Sequence, residues 1–292
     1  MKYSIAQQSN QGGRDYNEDR TAIFEREDAL LLVLADGLGG HAGGDVASQA
    51  LVDALGASFR NASMEQLEKA DNFLSLSINY AHHMIHRRAL SQGFDVESPK
   101  TTCVVCLIYQ GVARWAHSGD SRLYLIRKRD IVEMTEDHVS NKVNASGNSP
   151  INQCVGGLEA PKPYISEPHY LEDLDTFVLA SDGAWACFKP EDLKDYIDPE
   201  HPTLGLDNLL QELENRNKTP SDNLSMVILY WGITQHDKPS VTDVDSPDTI
   251  ELLGSRSFRE DKPVTSEKFD MQDLDSTIYE IENFISDLDD KI

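Results

Sequence analysis

The sequence predicts an α+β domain with mainly antiparallel sheet, followed by an acidic C-terminal tail. Strand-like segments come in adjacent runs instead of alternating strictly with helices, which is typical of antiparallel pairing. They are short, apolar or alternating, and Gly, Asp or Asn bounds most of them. The predicted strands cover residues 3–8, 21–25, 30–35, 102–109, 112–117, 122–126, 164–170, 176–180 and 225–231.

Helices are predicted where apolar residues recur every three or four positions. This spacing covers residues 45–59 and 64–90. Shorter helices are predicted over residues 190–196, which begin with proline, and over residues 204–214. Together the strands and helices fill residues 1–233, which we expect to form one domain.

The composition changes after the last predicted strand. Residues 234–270 are rich in Asp, Ser, Thr, Pro and Lys, which predicts a disordered linker. Residues 271–292 predict an amphipathic helix with an apolar stripe and an acidic opposite face. This helix could pack back on the domain or fray in solution, or it could dock a partner or a second copy of the chain. Its stripe consists of Met271, Leu274, Ile278, Ile281, Ile285 and Leu288.

The charge of the chain excludes several classes of partner. Its 292 residues carry 50 acidic and 26 basic side chains, a net charge of -24. Nucleic-acid-binding proteins need a basic face, and anionic membranes attract basic segments. The longest apolar run, residues 29–35, is too short to span a bilayer, and the polar N-terminus does not resemble a signal peptide. We expect a cytoplasmic protein that binds neither nucleic acid nor membrane.

The cysteines and one histidine cluster predict no soft-metal or redox site. Cys103 and Cys106 have the spacing of a redox pair, but a strand would place them on opposite faces, so we expect buried structural thiols. His82, His83 and His86 could share one helical face. They lack a fourth ligand and adjoin two arginines, so we predict a solvated helix face.

Acidic residues recur at the ends of predicted strands. LLLVLA runs into Asp36 and TFVLAS runs into Asp182, whereas Asp120 lies in a turn predicted to join two hairpin strands. Each residue alone fits ordinary turn chemistry. Two long apolar strands that end in the same Ala/Ser-Asp-Gly pattern are an unusual coincidence. The full set is Glu18, Asp19, Asp36, Asp120, Asp182 and Asp222.

If these strand ends converge, mutual repulsion raises the pKa values of the carboxyl groups and destabilises the fold. Divalent cations remove that conflict, and oxygen ligands without His or Cys select Mg²⁺ or Mn²⁺ over zinc. Two such ions can activate a water and hold a transferring phosphoryl group. Arg14, four residues before Glu18, could then grip phosphate oxygens through two hydrogen bonds.

The glycine-rich segment DGLGGHAGGD allows a second interpretation. Gly37, Gly39 and Ala42 fit the G-x-G-x-x-A fingerprint of a dinucleotide-binding oxidoreductase. That fold needs a second parallel strand after the helix over residues 45–59. Polar sequence and another helix follow instead.

Seven segments in order resemble the metal-dependent protein Ser/Thr phosphatases of type 2C, the PPM family, in their bacterial subtype. The resemblance covers residues 3–231, so residues 1–233 are expected to be the phosphatase domain. The matching segments are RDYNED at 14–19, LADGLGGHAGG at 34–44, SPKTT at 98–102, HSGDSR at 117–122, TEDH at 135–138, ASDG at 180–183 and SDNLS at 221–225.

The resemblance implies a four-layer sandwich of two antiparallel sheets flanked by helix pairs, with a dinuclear Mn²⁺ or Mg²⁺ centre at one edge. It implies hydrolysis of phosphoserine and phosphothreonine in proteins by a metal-bridging hydroxide, with no phosphoenzyme. The substrate would be the target of a cognate kinase in bacterial signalling. The alternative is a pseudophosphatase that keeps the fold and binds a partner through its tail.

The resemblance also implies ligands. Asp36 would bridge the two metals, Asp182 and Asp222 would complete the first site, and the Gly37 carbonyl would serve the second. Asp120, with Asp182, resembles the ligand set of a weaker third metal in bacterial members. The flap that follows TEDH is short here and offers no obvious acid to that third metal.

The remaining assignments concern water and phosphate. Glu18 and Asp19 would act mainly through metal-bound waters, and Arg14 matches the phosphate-binding arginine. His41 matches the histidine proposed as general acid to the leaving Ser/Thr oxygen. Otherwise His41 would only form hydrogen bonds with Asp120 or water.

Overall fold

A computed structural model of the protein describes residues 1–38, 43–95, 99–140, 149–216 and 222–232. The candidate general acid His41 lies outside these residues. The predicted linker over 234–270 and the predicted helix over 271–292 also lie outside them, as do residues 141–148 of the short flap.

The described residues form strands and helices in the predicted order. The strands are β1 (Tyr3–Asn10), β2 (Arg20–Glu25), β3 (Ala29–Ala35), β4 (Gly37–Leu38), β5 (Lys100–Thr101), β6 (Cys103–Tyr109), β7 (Val112–Ser118), β8 (Arg122–Arg127), β9 (Asp130–Met134), β10 (Val155–Gly156), β11 (Tyr164–Ile165), β12 (His169–Tyr170), β13 (Thr176–Ala180) and β14 (Leu224–Trp231). The helices are α1 (Gly44–Asn61), α2 (Met64–Glu68), α3 (Ala70–Ser91), α4 (Asp182–Trp185), α5 (Leu193–Tyr196) and α6 (Pro202–Arg216). A single 3₁₀ turn, Pro190–Asp192, precedes α5.

Two antiparallel sheets form the centre of the fold. One has the order β1-β14-β13-β8-β9, and the other has the order β11-β7-β6-β3-β2, with β12 also paired to β7. A third, small sheet has the order β10-β5-β4. Every paired strand is antiparallel to its neighbours, as the runs of adjacent strands predict.

Strand alternation builds three apolar layers. Along β3, Leu30 and Leu32 face the layer between the two sheets, whereas Leu31 and Val33 face helices α1 and α3. Helices α5 and α6 cover the outer face of the other sheet, where the leucines of α6 pack on residues such as Ile228. The result is the four-layer sandwich, α-β-β-α, that the resemblance implies.

Several element boundaries differ from the predictions. The predicted helix over 64–90 breaks at Lys69, whose backbone (φ -91, ψ 57) is not helical. The predicted strand over 164–170 splits into β11 and β12 around Pro168, which has no N–H for the ladder. Strand β9 was not predicted, because residues Lys128 and Arg129 take positive φ in its hairpin turn without the usual Gly or Asn signal.

The turn that carries Asp120 does not join a hairpin, so this prediction is wrong. Strand β7 belongs to one sheet and β8 to the other, and residues 119–121 cross between them. Gly119 has φ +112, and a Cβ there would lie 2.7 Å from the Thr102 side chain. The crossing places Asp120 at the edge where the two sheets meet.

The topology also excludes the dinucleotide-binding interpretation. Strand β3, which precedes the glycine-rich segment, pairs antiparallel with both β2 and β6. A dinucleotide-binding unit needs parallel strands on either side of its helix.

The two cysteines of CVVC are buried on opposite faces of β6, as predicted. Cys103 packs under the helices and Cys106 packs between the sheets. Burial raises the pKa of Cys103 to about 12, so its thiol stays protonated. No helix in the described part of the chain is both long and apolar enough to cross a bilayer.

The prediction of a solvated face for the histidines of α3 is wrong. His82 is 3% exposed and His86 is 5% exposed. Both rings pack against β10, which the sequence did not reveal as a neighbour of this helix.

Candidate metal and phosphate site

The acidic residues at the strand ends converge, as the sequence predicts. Burial and the charges of Asp19, Asp182 and Asp120 raise the pKa of Asp36 well above its usual range. The carboxyl groups of Asp36 and Asp182 lie close enough for each to change the pKa of the other. Burial and the charge of Asp222 raise the pKa of Asp182 as well. These five acidic residues at strand ends therefore share one small volume at an edge of the sandwich.

Three carboxylate oxygens at this edge have no hydrogen-bond partner among the described residues. They are both oxygens of Asp19 and Oδ1 of Asp120, and all three are buried. Burial, with neighbouring carboxylates, raises the pKa of Asp19 and that of Asp120 to about 7. The Ser181 and Ser225 hydroxyls lower the pKa of Asp19 in part, but neither forms a hydrogen bond of normal geometry with its oxygens.

This donor set fits divalent cations. Buried carboxylates without hydrogen-bond partners are costly unless a positive charge joins them. The site offers hard oxygen donors, which favour Mg²⁺ or Mn²⁺. Close backbone packing leaves no room for larger residues at the edge, since a Cβ on Gly37 would lie 2.5 Å from the Gly44 carbonyl carbon. A Cβ on Gly44 would lie 2.7 Å from Oε1 of Glu18.

Hydrogen bonds from the SPKTT segment fix Asp36 at the end of β3. Its backbone N–H donates to Oγ1 of Thr102 over 3.0 Å, and its carbonyl accepts from the Thr101 hydroxyl over 2.9 Å. Oγ1 of Thr102 also lies 2.7 Å from the Ser121 hydroxyl. The same short network therefore joins the backbone around Asp36 to the turn that carries Asp120.

Arg14 lies at the mouth of the site. Its NH2 group is 2.5 Å from Oδ2 of Asp222, and the two side chains are 50% and 35% exposed. The charges of Asp222, Asp182 and Glu18 raise the pKa of Arg14, against an opposing effect of burial. A permanent cation beside the carboxylates and open to solvent is suited to bind an incoming phosphate.

Sequence reasoning missed the role of Asn223. This residue is 6% exposed, and its Oδ1 accepts the backbone N–H of Glu18 over 2.9 Å. Its Nδ2 donates to the carbonyls of Gln11 and Tyr16. Asn223 thus holds the segment from Gln11 to Glu18, which includes Arg14, against the start of β14. The only sequence signal for this role was that Asn223 belongs to the motif segment SDNLS.

Sequence reasoning also missed a support beneath Asp120. The indole N–H of Trp185 donates to the Asp120 carbonyl over 2.9 Å. The Arg122 guanidinium stacks 3.4 Å over the Trp185 ring and forms two 2.8 Å hydrogen bonds to Asp137. Arg122 belongs to HSGDSR and Asp137 to TEDH, so the fold joins two of the motif segments here.

Comparisons with known proteins agree with this geometry. The family model described as Protein phosphatase 2C matches residues 6–216. The protein phosphatase PhpP of Streptococcus pneumoniae is 26% identical over an alignment of 230 residues that covers 74% of this chain and 92% of PhpP.

Solved structures give the same result. The serine/threonine phosphatase Stp1 from Staphylococcus aureus is 26% identical and superposes with a TM-score of 0.69, covering 79% of this chain and 95% of Stp1. The Mycobacterium tuberculosis serine/threonine phosphatase PstP/Ppp is 25% identical with a TM-score of 0.65, covering 81% of this chain and all of the other. Since the family model spans well over half of the sequence, the chain belongs to the protein phosphatase 2C family of bacterial serine/threonine phosphatases.

Proposed function

We propose that this chain hydrolyses phosphoserine and phosphothreonine in proteins and depends on Mn²⁺ or Mg²⁺ at the carboxylate edge. The observation that carries the proposal is that buried carboxylate oxygens of Asp19 and Asp120, without hydrogen-bond partners among the described residues, lie close to Asp36 and Asp182. When bound, two such cations supply an activated water and neutralise charge on the phosphoryl group.

The ligand assignments are those that the resemblance to type 2C phosphatases implies. Asp36, Asp182 and Asp222, with the Gly37 carbonyl, would hold the two ions, and Glu18 and Asp19 would act through water. Asp120, together with Asp182, would hold a weaker third ion. The buried position of Asp120 Oδ1 without a hydrogen-bond partner supports this assignment.

The chain's own residues bind and orient the phosphate. Arg14 would exchange its hydrogen bond with Asp222 for hydrogen bonds to phosphate oxygens, and Asn223 keeps the Arg14 segment in place. His41, outside the described residues, is the proposed proton donor to the leaving Ser/Thr oxygen.

We propose direct attack of water on phosphorus, without a covalent phosphoenzyme. Cysteine phosphatases need an exposed thiolate. Cys103 and Cys106 are fully buried, and burial raises both pKa values.

The wider assignments are also proposals. Residues 1–233 would be the catalytic domain, residues 234–270 a linker, and residues 271–292 a helix that docks on a partner or on the chain itself. The relatives named as protein phosphatases support phosphoprotein substrates. We propose that these substrates are targets of a cognate kinase in the cytoplasm. No feature of the described residues favours the pseudophosphatase alternative.

Phosphopeptide hydrolysis with Mn²⁺, with and without chelator, tests the proposal. We expect turnover only with metal, and we expect Asp36→Asn to lower kcat/KM by at least about a hundredfold, as for loss of other central electrostatic groups. Asp53→Asn is the matched control, because Asp53 is a half-exposed carboxylate on α1 that pairs with Arg88. Turnover that survives chelation, or an active Asp36→Asn, would contradict the proposal.

A further inference from the structure

Three histidines on α3 lie together beside β10, which is two strands away from β4 and Gly37 in the small sheet. His82 and His86 are four residues apart, so they share one helical face, and their ring centroids are 4.3 Å apart. The His83 ring centroid is 5.3 Å from that of His82 and 6.5 Å from that of His86. One ligand nitrogen from each of the three rings lies within 4.8 Å of the others.

The proton positions on two rings follow from their backbone partners. Nε2 of His86 lies 2.5 Å from the Gly157 carbonyl oxygen, which can only accept, so Nε2 carries the proton. Nδ1 of His82 lies 3.1 Å from the Gly156 N–H, which can only donate, so this nitrogen is unprotonated. Both rings are buried, and burial lowers the pKa of His82 to about 3 and lowers that of His86. The rings are therefore neutral, which is the form that binds metal.

The hydrogen bond that His86 forms is the one expected of a metal-ligating histidine. Ligating histidines commonly donate their other ring N–H to a backbone carbonyl, which fixes the ring and makes the free nitrogen more basic. His86 donates in this way to Gly157. Its Nδ1 is buried and has no hydrogen-bond partner among the described residues. An unpartnered nitrogen on a ring only 5% exposed is costly unless something binds it.

We propose that His82, His83 and His86 form a second cation site, independent of the phosphatase centre, for a transition-metal dication such as Zn²⁺ or Ni²⁺. Imidazole nitrogens suit these ions, whereas Mg²⁺ prefers oxygen, so the two sites select different metals. Histidines four residues apart on a helix are a recurrent Zn²⁺ pair. Water would complete the coordination.

Occupation of the site has a structural consequence at β10. If Nδ1 of His82 binds the ion, its lone pair is no longer available to the Gly156 N–H. If Nε2 binds instead, the ring proton moves to Nδ1, which then cannot accept. In either case the hydrogen bond from Gly156 to His82 is lost. The NMR signal of the Gly156 amide therefore reports whether His82 binds the ion.

The experiment is a Zn²⁺ titration of the full chain in excess Mg²⁺, which occupies the carboxylates. Binding is measured by calorimetry, and the histidine ring nitrogens and the Gly156 amide are followed by NMR. We expect one added Zn²⁺ per chain, with shifts of the three ring signals and of Gly156. His86→Gln should weaken Zn²⁺ binding at least about tenfold, because it keeps an N–H for Gly157 and loses the ligand nitrogen.

Two further variants complete the test. His83→Ala should also weaken Zn²⁺ binding, and neither glycine hydrogen bond involves His83. His201→Ala is the control, because this histidine is 63% exposed and pairs with Asp198 near the start of α6. Thermal unfolding confirms that each variant is folded. Unchanged ring signals on adding Zn²⁺, an unmoved Gly156 amide, or wild-type affinity in His86→Gln would overturn the proposal.

Discussion

The carboxylate edge and the histidine cluster of α3 respond to burial in opposite ways. Burial disfavours charge, so it raises the pKa of Asp19 to about 7 and lowers that of His82 to about 3. The histidines gain backbone hydrogen bonds that suit their neutral form. Asp19 and Asp120 lack such compensation, since both oxygens of Asp19 and Oδ1 of Asp120 have no hydrogen-bond partner among the described residues.

This difference shows how one physical effect produces two kinds of site. Without cations, the like charges of the carboxylate edge repel one another, which opposes the stability of the fold there. In the histidine cluster, the backbone partners of His82 and His86 suit neutral rings, and Nδ1 of His86 has no hydrogen-bond partner among the described residues. We therefore expect metal to matter far more for the stability of the first region than for that of the second.

The largest expected effect is stabilisation by metal. Adding Mn²⁺ to chelated protein at a hundred times its dissociation constant should stabilise the fold by about 2.7 kcal/mol. For a domain of this size, that corresponds to a rise in Tm of roughly 5–10 °C. Thermal unfolding monitored by circular dichroism measures it. Asp36→Asn should remove most of the rise in Tm that Mn²⁺ produces, whereas His86→Gln should retain it. An equal loss in both variants would contradict the distinction between the two regions.

The second-largest expected effect is on the pH dependence of stability. In the chelated protein, the carboxylate edge and the histidine cluster change the free energy of unfolding with pH in opposite directions. Asp19 and Asp120 have raised pKa values of about 7, so the stability they contribute is complete below about pH 4 and is lost as pH rises through 7. In the histidine cluster, His82 has a lowered pKa of about 3, so its contribution is complete above about pH 6.5 and is lost as pH falls.

Urea unfolding of chelated protein between pH 4 and pH 8 measures this dependence. One pH unit between the folded and unfolded pKa values corresponds to about 1.4 kcal/mol. Asp120→Asn should reduce the loss of stability that occurs as the pH rises through 7, and saturating Mg²⁺ should abolish that loss. A chelated protein that becomes steadily more stable from pH 5 to pH 8 would contradict the assignment.

The smallest expected effect concerns the support beneath Asp120. Arg122→Lys keeps the charge but loses the paired hydrogen bonds to Asp137 and the stacking on Trp185. We expect a cost of about 1 kcal/mol in stability and a severalfold fall in kcat at limiting metal, since Asp120 loses its fixed position. Phosphopeptide kinetics at several Mn²⁺ concentrations measure it. Arg88→Lys is the control, because Arg88 forms a surface ion pair with Asp53. Equal effects of the two substitutions on stability and kcat would contradict a special role of Arg122.

Much of this molecule could be predicted from its sequence. The apolar strands and the acids at their ends carry local signals, so Asp36 and Asp182 could be identified and expected to meet. Strand β9 could not be found in the same way, because its hairpin turn uses Lys128 and Arg129 at positive φ. The role of Asn223 was equally hidden, since an asparagine before a strand is ordinary turn chemistry.

The sequence by itself determined the order of the elements, the apolar faces of the strands and the choice of oxygen ligands, because each depends on residue type and short-range spacing. Only the tertiary structure decided which distant residues surround each side chain. It carried the Asp120 turn from one sheet to the other, and it buried His82 and His86 against Gly156 and Gly157. Such contacts join segments some 70 residues apart, and no local pattern encodes them.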